Sequence, residues 1–166
     1  MANRRIAIYG IIIATYTAIS LLLGSLSFGM VQIRVAELLL VLCLYDKKYI
    51  IPVTLGCFVT NFIGIINGLN PLVIDLVIGT LATLLSGMCV YYFRKITILK
   101  TPLLSLIAPA IINGVMVGIE LSFYFPMNIL ALMLYVALGE LISVTLLGIL
   151  LYKPIGKAVE GYIGVL

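Results

Sequence analysis

The chain has 166 residues, of which 64% are hydrophobic and only 10% are charged, and its formal net charge is +4. A soluble domain carries roughly 25% charged residues, so this composition excludes a water-soluble globular protein and indicates an integral membrane protein. The length predicts a single transmembrane domain over residues 1–166, with no room for a second soluble module.

Six apolar stretches are long enough, or nearly so, to cross a bilayer, which takes about 20 residues of α-helix. They are separated by clusters of charged residues, glycine, asparagine and proline. In chain order the predicted spans are Ile6–Leu23, Val31–Tyr45, Tyr49–Ile66, Pro71–Phe93, Leu103–Tyr124 and Met127–Tyr152. The sequence therefore predicts an all-α bundle of six transmembrane helices, in which the second span is short and begins inside an ordered loop.

The first span is predicted to be a retained helix, because its apolar run is longer than that of a signal peptide and lacks an A-x-A cleavage site. It carries Gly10, Ala14 and Ala18 at a spacing of four residues. Small residues at this spacing let a second helix approach closely. The neighbour is either another span of this chain or a separate subunit.

The second span begins within the phrase FGMVQIRVAELL, residues 28–39, where Arg34 and Glu37 lie three residues apart. On a helix the two side chains would share one face. The other nine lysine and arginine residues all fall on one side of the predicted bundle, which the positive-inside rule identifies as the cytoplasm. Both termini are therefore predicted to be cytoplasmic, and Arg34 stands on the outer side, in an internal ion pair with Glu37 or in contact with a ligand.

The later spans place further polar residues mainly towards the same outer side, with Glu140 deeper, near the middle of its span. These residues are Asn61, Asn67, Asp75, Asn113, Glu120 and Glu140. An ionisable group inside a span costs about 2.5–3.5 kcal/mol on insertion scales. We therefore expect these side chains to face the bundle interior or a water-filled cavity, where they either hold helices together or bind a ligand that has a cation or several N–H donors.

Three prolines mark the fourth and fifth spans. In LNPL, Asn70 is the predicted helix cap and Pro71 the first helical residue, and KTPL repeats the pattern with Thr101 and Pro102, because proline is favoured at the first position of a helix. Pro109 lies inside the fifth span and is expected to kink it.

The motifs of several catalytic classes are missing from the sequence. It contains no G-x-x-x-x-G-K-[ST] phosphate loop, no H-E-x-x-H and no G-x-S-x-G. It has no histidine, and Cys43, Cys57 and Cys89 lie singly in apolar runs, which is typical of cysteines packed between helices. We therefore expect no enzymatic activity, no cofactor and no metal site.

The six spans, the cytoplasmic termini, the outer polar pocket and the A-x-x-x-A motif at Ala14–Ala18 resemble the substrate-binding S component of an energy-coupling-factor (ECF) vitamin transporter. The phrase Q-I-R-V-A-E within residues 28–39 resembles the QueT group, proposed carriers of queuosine precursors such as preQ1. The resemblance implies that the chain lies in the bacterial cytoplasmic membrane and captures its substrate from outside. Separate chains, a transmembrane coupling subunit and two ATPase subunits, would supply the work, and Gly10, Ala14 and Ala18 would contact the coupling subunit.

PreQ1 is a 7-deazaguanine with a cationic aminomethyl group, so its recognition would use carboxylates, an arginine or asparagine donor and a stacking ring. The substrate-binding residues expected from the resemblance and the predicted topology are Gln32, Arg34, Glu37, Asn61, Asn67, Asp75, Asn113, Glu120 and Tyr124. Two alternatives stay open. The chain is an S component for another vitamin, or it is a small membrane scaffold whose buried acids only hold helices together. The lipid bilayer is an expected partner, and nucleic acid is not.

Overall fold

The computed structural model describes the backbone of residues 2–163 and the side chains of residues 3–159. The α-helices are α1 (Ala2–Leu22), the single turn α2 (Gly24–Ser27), α3 (Ile50–Ile66), α4 (Asp75–Phe93), α5 (Leu103–Ser122), α6 (Ile129–Glu140) and α7 (Leu147–Ile163). Two 3₁₀ segments, Val35–Leu44 and Lys47–Tyr49, lie between α2 and α3, and a π segment, Leu141–Leu146, joins α6 to α7 without a break. No β-strand occurs within residues 2–163, so the prediction of an all-helical fold is confirmed.

Five helical stretches are long and apolar enough to cross a membrane. In the described part of the chain these are Asn3–Leu22, Lys47–Ile66, Asp75–Phe93, Leu103–Ser122 and Ile129–Val159. Large apolar side chains such as Phe62, Val77 and Leu134 are exposed on their outer surfaces, where lipid would cover them. The chain is therefore a multi-pass membrane protein.

The second predicted span is represented by the ten-residue 3₁₀ helix Val35–Leu44, which follows the loop 28–34. A 3₁₀ helix rises about 2.0 Å per residue, so ten residues cover about 20 Å, whereas an α-helix of that length would cover about 15 Å. This helix lies in the core: Leu40, Val41 and Cys43 are fully buried. It packs against α1, α4 and α7, which places its first residues inside the bundle.

The prediction that Pro71 begins the fourth helix is wrong, because α4 begins at Asp75. The residues before it form a turn, in which the Leu72 amide donates to Asn70 Oδ1 at 3.0 Å and the Asp75 amide donates to the Leu72 carbonyl at 3.2 Å. Asn70 therefore caps a turn and not the helix. Asp75 lies in the first turn of α4, where the helix dipole favours a negative charge.

The ends of two further helices also differ from the predictions. α5 begins at Leu103, the predicted start of the fifth span, so Pro102 precedes the helix and is not its first residue. The helix continues through Pro109 and ends at Ser122, two residues before the predicted end at Tyr124. The last helical rod continues past the predicted end at Tyr152 to Ile163.

Two helices carry stripes of small residues, and the stripes have different surroundings. On α5, a Cβ atom added to Gly118 would lie 2.5 Å from Met133 Cα of α6, and one added to Gly114 would lie 3.0 Å from Ala137 Cβ. This stripe is therefore used for close packing within the chain. On α1, by contrast, Gly10, Ala14 and Ala18 are exposed, and a Cβ atom added to Gly10 would meet nothing within 4 Å.

Candidate functional site

A set of buried polar side chains gathers around the start of the 3₁₀ helix Val35–Leu44, linked by hydrogen bonds or by close charges. We call this set the polar cluster; its members are Arg34, Glu37, Asn61, Asn70, Asp75, Thr83, Glu120 and Glu140, none of them more than 4% exposed. They come from the loop before the 3₁₀ helix, from that helix, from α3 and the turn after it, and from α4, α5 and α6. The cluster therefore joins segments that are distant in sequence.

An ion pair between Arg34 and Asp75 lies at the centre of the cluster. Arg34 Nη2 donates to Asp75 Oδ2 at 2.7 Å, and Arg34 Nε donates to the Ser27 carbonyl at 3.2 Å. Asn70 Nδ2 donates to the same Asp75 oxygen at 2.7 Å, and Asn61 Nδ2 donates to the Asp75 carbonyl at 2.9 Å. These bonds tie the loop before the 3₁₀ helix to the start of α4 and to the end of α3.

The predicted ion pair between Arg34 and Glu37 is wrong. Arg34 has non-helical backbone angles, φ −86° and ψ 81°, and the helix begins at Val35, so the two residues do not share a helix face. Glu37 instead accepts hydrogen bonds on Oε1 from the Tyr16 hydroxyl and, at 2.8 Å, from Thr83 Oγ1. Glu37 thus joins α1 to α4 through one of its two oxygens.

Five buried carboxylate oxygens of the cluster have no hydrogen-bond partner. They are Glu37 Oε2, Asp75 Oδ1, both Glu120 oxygens and Glu140 Oε2. A buried polar atom without a partner costs about 1–3 kcal/mol, so five such acceptors require an explanation. A ligand that brings several N–H donors would supply the missing partners.

The charges in the cluster are unequal. Arg34 interacts electrostatically with all four carboxyl groups, those of Glu37, Asp75, Glu120 and Glu140. One guanidinium therefore stands against four acids, and it is already bound to Asp75. A buried carboxyl group either stays neutral or takes a cationic partner, so the excess of acids suits a ligand that carries positive charge.

The remaining residues predicted for the site lie at different depths. Gln32 and Asn113 are buried, and Asn113 Nδ2 has no partner among the described atoms. Asn113 precedes Glu120 by seven residues on α5, which is about two helical turns on the same face. Asn67 is exposed at the end of α3, and Tyr124 is 52% exposed after α5, so neither belongs to the buried cluster.

Four residues in or next to the polar cluster were not among the predicted substrate-binding residues: Tyr16, Asn70, Thr83 and Glu140. Thr83 lies eight residues after Asp75 on α4, and Gly79 lies midway between them, so the spacing of four was the available signal. A Cβ atom added to Gly79 would collide with Asp75 Oδ1 and lie 2.9 Å from Asn61 Nδ2. Glycine is therefore required at this position to leave room for the ion pair.

The cluster is closed in this structure, and the segment from Gly24 to Arg34 covers it. A Cβ atom added to Gly139 of α6 would collide with the Gln32 carbonyl, and one added to Gly64 of α3 would lie 2.8 Å from the Phe28 ring. The segment thus packs on α3 and on α6. Because every member of the cluster is buried, a ligand reaches it only if the elements packed around it move apart.

Comparisons with known proteins show similarity to a family of transporters. A sequence model described as the QueT transporter matches residues 6–157. The chain is also 39% identical over 62 residues to a protein of Lactococcus lactis subsp. cremoris (strain MG1363) named queuosine precursor transporter QueT. That alignment covers 37% of this chain and 33% of the relative, so the match spans about a third of the relative's length. No solved structure matches the chain.

Proposed function

Because the chain belongs to the QueT transporter family, we propose that it captures a queuosine precursor, a 7-deazaguanine such as preQ1, from outside the cell. The family consists of transporters and not of enzymes. In this proposal the chain is the substrate-binding S component of an ECF-type transporter. ATP-driven uptake is then performed together with partner subunits.

The observation that carries this proposal is the set of five unpartnered carboxylate oxygens in the polar cluster. The edge of a guanine ring presents two adjacent N–H donors, which one carboxylate can accept in parallel. Glu120 suits this role, because both of its oxygens are unpartnered and its side chain is fully buried. The unpartnered amide of Asn113 could donate to the ring carbonyl from the same face of α5.

The proposed topology has six crossings and both termini in the cytoplasm. The 3₁₀ helix Val35–Leu44 serves as the second crossing, and Lys47 and Lys48 follow it directly. Further cationic residues follow α4 and lie on α7. This distribution supports a cytoplasmic location for these ends, and it leaves the polar cluster on the outer side.

The proposed partners are a transmembrane coupling subunit and, through it, two ATPase subunits. Support comes from the exposed stripe Gly10, Ala14 and Ala18 on α1, which no part of the described chain covers. Beside it an apolar groove of about 410 Å³ lies between α1 and α7, lined by Ile8, Ile11, Ile12, Leu42, Tyr49, Ile155, Ala158 and Val159. A helix of the coupling subunit would lie on the stripe, where small side chains allow close approach.

Calorimetry on the purified chain tests the proposed substrate. We expect preQ1 to bind with submicromolar affinity in the absence of ATP, and guanine and queuine serve as related ligands. Tight binding of riboflavin or thiamine in place of any deazaguanine would instead identify an S component for another vitamin. Failure to bind any of these ligands would favour a scaffold whose acids hold helices together.

A further inference from the structure

Glu140 is a buried acid for which the proposed function has so far assigned no role. Its side chain is 1% exposed, and Oε2 has no hydrogen-bond partner. It is the last residue of α6, directly before the π segment. A carboxyl group at this depth without a partner is costly unless something else binds it.

Glu140 belongs to a row of buried residues that continues past the π segment. Buried residues recur every four positions from Leu132 through Val136, Glu140 and Val144 to Gly148, and the row continues with the half-buried Tyr152 and the buried Gly156. In a regular α-helix a spacing of four drifts by about 40° at each step, so such a row would soon turn towards lipid. The wider turn of a π segment offsets this drift, and π segments are frequent at functional sites. Glu140 and the residues after it therefore stay on the inner face.

Glu37 lies on the helix that packs against the segment directly after Glu140. The 3₁₀ helix that carries Glu37 packs against the π segment, and Gly139 lies against the Gln32 backbone just before that helix. The charges of Glu140 and Glu37 interact. Glu37 Oε1 is occupied by Tyr16 and Thr83, whereas Glu37 Oε2 is unpartnered. Each of the two acids thus offers one unpartnered oxygen.

We propose that Glu140 and Glu37 together bind the cationic group of the substrate and make the site selective for positively charged ligands. This inference rests on the proposed function and adds the group that discriminates between substrates. An ammonium group has three N–H donors and one positive charge, so it bonds both unpartnered oxygens and separates two like charges. Arg34 supplies only part of this charge, because its guanidinium is already paired with Asp75.

The test compares preQ1 with 7-cyano-7-deazaguanine, which has the same ring and a neutral substituent. Calorimetry on the wild-type chain should show a preference for preQ1. Glu140→Gln should reduce that preference, the ratio of the two Kd values, by about tenfold or more, because it removes one member of a buried charge pair. Glu140→Asp, which keeps the charge, should retain most of the preference.

Glu120→Gln is the matched control, because Glu120 is equally buried and is proposed to bind the ring. Glu120→Gln should weaken the binding of both ligands and leave the ratio of their Kd values unchanged. The inference is overturned if the wild type binds both ligands equally, or if Glu140→Gln keeps the full preference. Equal binding of the two ligands by the wild type overturns the inference even if a variant fails to fold. Absence of binding of either ligand to the wild type would overturn the proposed function itself.

Discussion

Replacing Asp75 by asparagine should destabilise the fold strongly, because it leaves the buried Arg34 without its direct counter-charge. The two side chains are 2% and 5% exposed, and their N–O distance is 2.7 Å. Water therefore cannot replace the lost partner. Asp75 Oδ2 accepts hydrogen bonds from both Arg34 and Asn70. In asparagine this position is taken either by an amide nitrogen, which cannot accept them, or by an amide oxygen, which is a weaker acceptor than a carboxylate.

Breaking a buried ion pair from one side costs about 3–5 kcal/mol. The expected loss is at the lower end, about 3 kcal/mol, for two reasons. Arg34 keeps its hydrogen bond to the Ser27 carbonyl, and the carboxyls of Glu37, Glu120 and Glu140 remain close enough to offset part of its charge. Arg34→Met combined with Asp75→Asn should lose less than the sum of the two single changes.

The free energy of unfolding in detergent measures these changes, with Lys48→Gln as the control. Lys48 forms an ion pair with Asp46 at 3.4 Å, and its side chain is 44% exposed, so its loss should cost at most about 1 kcal/mol. If Asp75→Asn costs no more than the control, or if the two single changes are additive, then the Arg34–Asp75 pair does not hold the loop to α4.

Gly79→Ala should lower the free energy of unfolding by about 1–3 kcal/mol, because the added methyl group would collide with Asp75. Gly10→Ala is the control in the same unfolding assay, and it should cause no comparable loss because its methyl group would lie in open space. Glu37→Gln should weaken preQ1 binding by about 1.5–3 kcal/mol in calorimetry; wild-type affinity in a folded variant would make Glu37 purely structural. Ala14→Trp should leave folding and substrate binding intact but abolish transport and co-purification with the proposed partner subunits. Severe destabilisation of the isolated chain would indicate that Ala14 packs inside the fold. Retained transport would exclude a docking role for Ala14.

Composition and the spacing of apolar runs were enough to predict the helical membrane bundle, because the cost of burying polar groups in lipid acts on every residue of a span. The same cost identified Glu37, Asp75 and Glu120 as inward-facing. The partner of Arg34 could not be predicted, because Asp75 is distant in sequence and the nearer acid, Glu37, satisfied the local spacing rule. Tertiary packing decided between the two.

The 3₁₀ helix and the π segment, the two departures from regular α-helix, also could not be predicted from the spacing of residues along the chain. Over ten residues, the apolar spacing of the 3₁₀ helix Val35–Leu44 does not differ clearly from that of an α-helix. The π segment did leave a signal, since the spacing of four between buried residues from Leu132 to Gly148 does not fit a straight α-helix. The signal becomes visible only when the buried face of the rod is known.

The covering segment that closes the polar cluster has a kinetic consequence. Since no member of the cluster is more than 4% exposed, the proposed substrate can bind only during the intervals when the structure around the cluster has opened. The observed association rate should therefore level off at high ligand concentration, at the opening rate, and should not keep rising in proportion to concentration. Dissociation of the proposed substrate would be slow for the same reason, because it too requires this opening.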